Sequence, residues 1–475
     1  MLQNISDLTC ILPRIRKWWT NAHTKPGGIP ELWRVAYPLI LTTASGMVIQ
    51  FINRIFLAHY STDSLAACVP AGILSFTMTC FFVGVATYTN VFVAQYYGAK
   101  KPAQMVASLW QGVWVALLAS VAIIFLTPIG LYFINASSHP AAIKPLERDY
   151  FSILMLGGGI PVINTALSAF YTGRGKTKVT LCVNLAGYAV SILLSYLLIF
   201  GKGPFPEMGI TGAGWAFIIS NALMTAILIS LILGRDNNRR FKTRRLMQFH
   251  PALFKNILRF GLPNGVGFLL DVASFTVFVF LVGNSGKASL AANNIIMSIN
   301  SLAFMPILGV GIATTTLVGQ YMGRKRPDVA EHVVFNALKM ASVYALTLAA
   351  IFFITPGPLV NLFVSGAAGD FAAIKAKAFP MMKILAFYIL FDATGIIFGD
   401  AIKGAGDTKF QMTASLTCAW LLFVPGTYFL ISRLQASVET LWLWALMYIF
   451  VLALVFYSRF RSGKWREIDI MSAGK

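Results

Sequence analysis

Long apolar stretches alternate with short polar connections along this chain, and the rhythm holds from about residue 32 to residue 458. A helix needs roughly 20 mostly apolar residues to cross a hydrocarbon core. Stretches of that kind fall at about 32–58, 68–97, 105–134, 148–171, 178–200, 213–233, 257–283, 288–322, 333–364, 376–402, 411–433 and 438–458. The pattern predicts twelve membrane-spanning helices. Several are longer than about 25 residues, which implies tilt or extension beyond the bilayer. The first is too long for a cleaved signal peptide and reads as the first span. Pro161, Pro263 and Pro306 interrupt predicted spans, where a freed carbonyl or a hinge is expected.

The chain also repeats itself. A shift of 225 residues superimposes Ser64-Leu65-Ala66-Ala67 on Ser289-Leu290-Ala291-Ala292, Gly84-Val85 on Gly309-Val310 and Gln95-Tyr96 on Gln320-Tyr321. It also pairs Gly98 with Gly323, Lys100 with Lys325, Pro102 with Pro327 and Pro38 with Pro263. From 64 to 102 there are 13 identities in 39 positions without a gap. A shift of 231 pairs Gly173-x-Gly175-x-Thr177-Lys178 with Gly404-x-Gly406-x-Thr408-Lys409. Six spans per half is an even number, so both halves insert the same way up, and the path of such parallel repeats lies between them. The expected fold is an all-α integral membrane protein, twelve transmembrane helices in two parallel six-helix repeats. Its parts are an amino-terminal arm (1–31), a first six-helix lobe (32–233), a basic linker (234–256), a second lobe (257–458) and a tail (459–475).

Composition and charge add orientation. Of the 475 residues, 57% are hydrophobic and 12% charged, with mean hydropathy +0.71; soluble domains carry about 25% charged residues. The net charge of +21 is a matter of topology. On one side lie 28 of the 38 Lys and Arg, from Arg14 to Arg34, at Lys100, Lys101, Arg174, Lys176 and Lys178, from Arg235 to Arg259, from Arg324 to Arg326, at Lys403 and Lys409, and from Arg459 onward. The other side has seven: Lys144, Arg148, Lys202, Lys287, Lys375, Lys377 and Arg433. Positive loops stay cytoplasmic, so both termini are expected inside a bacterial inner membrane. The linker Gly234–Arg245 is expected to be a solvated topology determinant or a lipid-headgroup contact. No basic-aromatic module suggests nucleic acid. Five cysteines with no CxxC spacing argue against a disulfide framework and a zinc site.

Polar residues inside spans are the candidate chemistry, because a charge at the bilayer centre costs roughly 3 kcal/mol on insertion scales. Asp271 lies in the seventh span, eight residues after Pro263. Asp392 lies in the tenth, four residues after Tyr388, so phenol and carboxylate share one helix face. Burial disfavours a carboxylate's charge and a bound cation restores it, a balance suited to exchanging H⁺ or Na⁺ for an organic cation, with a structural hydrogen-bond anchor as the alternative role for both residues. Arg54, His59, Lys383 and Asp400 are expected at the interfaces, and Lys339 to snorkel inward. Gly261, Gly265 and Gly267 are expected to permit close helix approach. Gly173-Arg-Gly-Lys-Thr177 lacks the GxxxxGK[ST] spacing of a phosphate loop.

These residues resemble the multidrug and toxic compound extrusion (MATE) family, and within it the NorM branch. The resemblance covers roughly residues 30–460. It rests on Gly261-Leu262-Pro263 opening the seventh span, on Asp271, on Tyr388-x-x-x-Asp392, on Lys403-Gly404-x-Gly406-Asp407-Thr408-Lys409, and on the connection from Gly201 to Gly214. It implies export of cationic, amphipathic organic compounds by Na⁺ or H⁺ antiport through alternating access between two lobes. Asp271, Tyr388 and Asp392 then form the cation site, with Na⁺ possible at the two carboxylates. The family's first-span Asp is replaced here by Asn53, and its two polar fifth-span positions by Ser191 and Ser195. Asn53 cannot release a proton, which leaves the second lobe as the expected seat of coupling.

The expected function is therefore a secondary antiporter working as a monomer in the lipid bilayer, with no cofactor beyond the coupling ion. A dedicated metabolite or siderophore exporter fits the same class. A flippase for lipid-linked substrates should line its cavity with Arg or Lys, which mid-span positions nearly lack. An enzyme is not expected, since no HExxH, GxSxG or grouped His/Asp set is present.

Overall fold

In the computed structural model, residues 26–283, 286–364 and 371–472 are described, and the first 25 residues of the predicted arm lie outside them. Twelve helices are long and apolar enough to span a membrane: Ile29–Tyr60, Thr62–Gly98, Pro102–Ala136, Lys144–Thr172, Thr177–Phe200, Gly209–Ile232, Pro251–Gly283, Ala288–Gly323, Pro327–Ile354, Ala372–Ala405, Thr408–Ser432 and Val438–Arg461, here spans 1 to 12. No strand occurs among the described residues. Local chemistry sets several ends. Pro30, Pro102, Pro145 and Pro327 open spans 1, 3, 4 and 9, where a missing N–H costs nothing. The Ser61 and Ser437 hydroxyls cap spans 2 and 12 by accepting from backbone N–H groups. Repeat-related Lys100 and Lys325 both take a left-handed φ of 57° in the turns before Pro102 and Pro327.

Prolines also reshape the interiors. Span 4 breaks at Gly158, because the Pro161 ring collides with the carbonyl four residues back, at Gly157. Span 11 widens into a π-helical stretch over Leu416–Phe423, just before Pro425. The ninth span, expected to run to residue 364, ends at Ile354. Thr355 leaves the helix, and Pro356 starts a separate segment, Pro356–Val364.

The first helix of each half leans at its starting end onto the other half. Leu32, Val35, Ala36 and Leu39 of span 1 join the large apolar cluster of the second half, while Ile257 of span 7 joins the first half's cluster around Val85 and Phe92. Small residues allow this. A side chain at Gly84 would meet the backbone of Gly265, and one at its repeat mate Gly309 would meet the backbone of Ile40. The expected close approach at Gly265 is thus realised between spans 2 and 7. Beyond span 12, Trp465 stacks on Phe460 with centroids 5.0 Å apart, and Arg466 pairs with Glu331 at 2.6 Å. The chain then crosses to the first half, where Ile468 and Met471 pack on its cluster and Ile470 is fully buried in it.

Candidate functional site

Asp271 and Asp392 come from spans 7 and 10, and both side chains are half-buried. The Ser415 hydroxyl lies against the Asp271 carboxyl, whose Oδ1 has no hydrogen-bond partner. Ser415 is the last residue before the π-helical stretch. That stretch carries Cys418, within electrostatic range of Asp271, and Trp420, whose Nε1 donates to the Leu270 carbonyl at 3.2 Å. The distortion before Pro425 therefore does local work: it sets span 11 against the backbone that holds Asp271.

The Tyr388 hydroxyl lies within electrostatic range of Asp392, one turn along span 10, and of Tyr448 on span 12. Tyr448 in turn lies within electrostatic range of both Asp392 and Asp271. A phenol that senses both carboxylates joins them into one polar region. Around it stands an aromatic wall. The Tyr388 ring meets the edge of Trp442 at 5.9 Å, Trp442 packs on Phe278 at 6.3 Å, and Phe423 stacks between Phe278 (5.3 Å) and Tyr448 (4.5 Å). Trp442 Nε1 donates to Asn293 Oδ1 at 3.0 Å, while Asn293 Nδ2 is buried without a partner. Buried polar atoms without partners cost free energy, so Asp271 Oδ1 and Asn293 Nδ2 both have bonding capacity to spare. A carboxylate oxygen, phenol and hydroxyl oxygens and the aromatic faces can together accept a small cation and hold the apolar body of an organic one.

In the first half, Thr177 Oγ1 donates to the Val35 carbonyl at 3.0 Å, and Gly46 lies against the Tyr188 hydroxyl. Spans 1 and 5 thus run parallel at a constant offset of 142 residues. The offset puts Asn53 level with Ser195, and Ser191 one turn away. Asn53 Oδ1 and Ser195 Oγ are both buried without partners, and Ser191 is buried. Sequence reasoning therefore picked out two groups of polar residues that occupy two different halves, and the structure does not bring them together. It missed Tyr448, Trp442, Asn293 and Ser415; the available signal was Pro425, which marks a distortion just after Ser415. Asp400, in the last turns of span 10, packs inward between helices. It is only 9% exposed, seated against Gly311, 3.5 Å from Lys403 Nζ, with its carbonyl accepting from Thr315.

The family model for MatE matches residues 38–197 and 263–429, two segments whose starts are the repeat-related Pro38 and Pro263. The chain belongs to the MatE family. Among relatives of this MatE protein, the probable multidrug resistance protein NorM of Thermotoga maritima is 25% identical over 444 residues, covering 93% of this chain and 94% of its own. That of Burkholderia pseudomallei is 27% identical over 416 residues, covering 87% and 88%. Among solved structures, an outward-facing multidrug resistance MATE transporter of the MOP superfamily superposes with TM-score 0.83 at 18% identity, over 96% of this chain and 98% of that one. A MOP superfamily transporter from Pyrococcus furiosus, described as having a binding pocket of reverse polarity, gives TM-score 0.83 at 18% identity, over 94% and 98%. The MATE fold and a multi-pass membrane protein follow, with the twelve spans in two parallel sets of six.

Proposed function

We propose that this MatE protein is a secondary antiporter that exports cationic or amphipathic organic compounds in exchange for Na⁺ or H⁺, from a bacterial inner membrane with both termini in the cytoplasm. The observation that carries the reading is the Asp271 carboxyl, half-buried, with one oxygen unpartnered, beside the Ser415 hydroxyl and within electrostatic range of Tyr448, which is also in range of Asp392. A cation supplies the missing partner, and exchanging a small cation for an organic one at shared carboxylates couples the two fluxes. Asp271 and Asp392 carry the exchange, Tyr388 and Tyr448 position it, and Asn53, Ser191 and Ser195 offer neutral hydrogen bonds to the substrate from the other half. The names of the NorM relatives support efflux of drugs. A single chain holds both halves of the path.

The test is ethidium efflux from proteoliposomes holding purified protein, with a Na⁺ or an H⁺ gradient imposed separately. One gradient should drive ethidium uphill. Uphill movement under neither, in protein shown to be folded, refutes the antiport reading.

A further inference from the structure

Spans 2 and 8 cross at the basic face, and repeat-related positions meet one another there. Ala94 faces its own mate Gly319, where an added Cβ would stand 3.1 Å from the Ala94 Cβ. A side chain at Gly98 would collide with the Gln320 backbone, and one at Gly323 with the Gln95 backbone. Two positions related by the repeat touch only on the axis that relates the halves, so that axis runs through this crossing. On each side of it the same bond is made. Gln95 Nε2 donates to the Gly404 carbonyl at 3.1 Å, at the end of span 10. Gln320 Nε2 donates to the Gly173 carbonyl at 2.8 Å, at the end of span 4. Gln95 and Gln320 are mates under the 225-residue shift, and Gly173 and Gly404 under the 231-residue shift. The accepting carbonyls belong to last turns, where helical N–H partners run out. Both glutamines are buried, 2% and 4% exposed, so neither bond is open to water while the crossing is closed. Asn90 extends the seam, donating to Thr316 Oγ1 at 3.0 Å and accepting from Thr172 Oγ1 at 2.8 Å.

We propose that Gln95 and Gln320 are a reciprocal latch that closes the cytoplasmic side of the transport path, each holding the other half by one neutral hydrogen bond. The inference rests on the export reading only for which face is cytoplasmic. A gate that opens in every cycle needs bonds of modest net worth, and amide-to-carbonyl bonds are of that kind, whereas breaking a buried ion pair costs far more. Every ion pair between described residues accordingly joins two residues of the same half.

Two measurements test the latch in full-length protein with the native cysteines replaced. First, Ala94→Cys, at a fully buried position, is labelled with an impermeant maleimide in inside-out vesicles. Gln95→Met with Gln320→Met keeps the side-chain length and removes both donors. Labelling should accelerate about fivefold for each bond lost, hence more than tenfold for the pair. Unchanged labelling overturns the proposal. Second, Ala94→Cys with Gly319→Cys, left with native glutamines, places two thiols within disulfide reach across the axis. Oxidation should stop ethidium efflux and reduction restore it; a fully cross-linked protein that still transports overturns the proposal. Labelling needs neither substrate nor gradient, so failure of the antiport reading would leave this result standing.

Discussion

Replacing Asp271 with Asn changes charge and almost nothing else. The amide keeps an oxygen for the Ser415 hydroxyl, and the side-chain shape is retained among Cys418, Trp420 and Tyr448. Because no cation of the protein pairs directly with Asp271 at hydrogen-bond distance among the described residues, neutralisation strands no buried positive charge. Insertion and thermal stability should therefore stay at the wild-type level or rise. Binding should not. A monovalent cation about 4 Å from a carboxylate gains roughly 4 kcal/mol at an effective dielectric constant near 20. That is about three powers of ten in a dissociation constant. If the coupling ion is H⁺, the same substitution removes the group that takes the proton. Sodium binding by calorimetry in detergent and gradient-driven ethidium efflux in proteoliposomes separate the two effects. A folded Asp271→Asn protein with wild-type coupled efflux would refute the assignment, as would a large loss of melting temperature alongside normal cation affinity.

Asn53→Ala should impair efflux less than Asp271→Asn or Asp392→Asn, and the reverse order in one vesicle assay would move the coupling site to the first half. Trp442→Phe should lower the melting temperature through a loss of about 1–3 kcal/mol, because Asn293 then loses its remaining partner in a buried setting. Arg459→Ala should destabilise by about 3–5 kcal/mol, since it strands the 8%-exposed Asp407 carboxylate now held at 2.7 Å. Adding Asp407→Asn should recover much of that loss in thermal melts; no recovery would show that Arg459 acts through its packing on Phe410 instead.

The spans and the repeat were legible because lipid imposes a length and a hydropathy on each helix, and these are one-dimensional properties. What the pattern could not carry is how helices are broken without losing hydropathy. Spans 2 and 4 read as single apolar runs and are divided at Tyr88 and Gly158. Span 9 read as continuous to 364 because Thr355-Pro356-Gly357 costs little in mean hydropathy while ending the helix outright. The acidic candidates stood out by charge. Tyr448 and Trp442 did not, since an aromatic on an apolar helix is ordinary until the neighbouring helices show what its polar tip meets. Asp400 adds a second lesson: its place near the helix end was legible, but not that Gly311 on span 8 leaves a hollow its carboxylate fills. Depth along a helix and depth within the bundle are different coordinates.

The segment from Ile468 to Met471 has a bearing on how this protein is made. Ile470 completes an apolar cluster otherwise built from residues 85 to 257, yet it is translated only after all twelve spans. The first half, inserted early, therefore leaves a vacancy at the Ile257 end of its cluster until the ribosome has passed residue 471. Assembly at that end thus waits for residues that follow span 12, and a chain stopped short of them would present an unfilled hydrophobic notch to the cell's quality-control proteases.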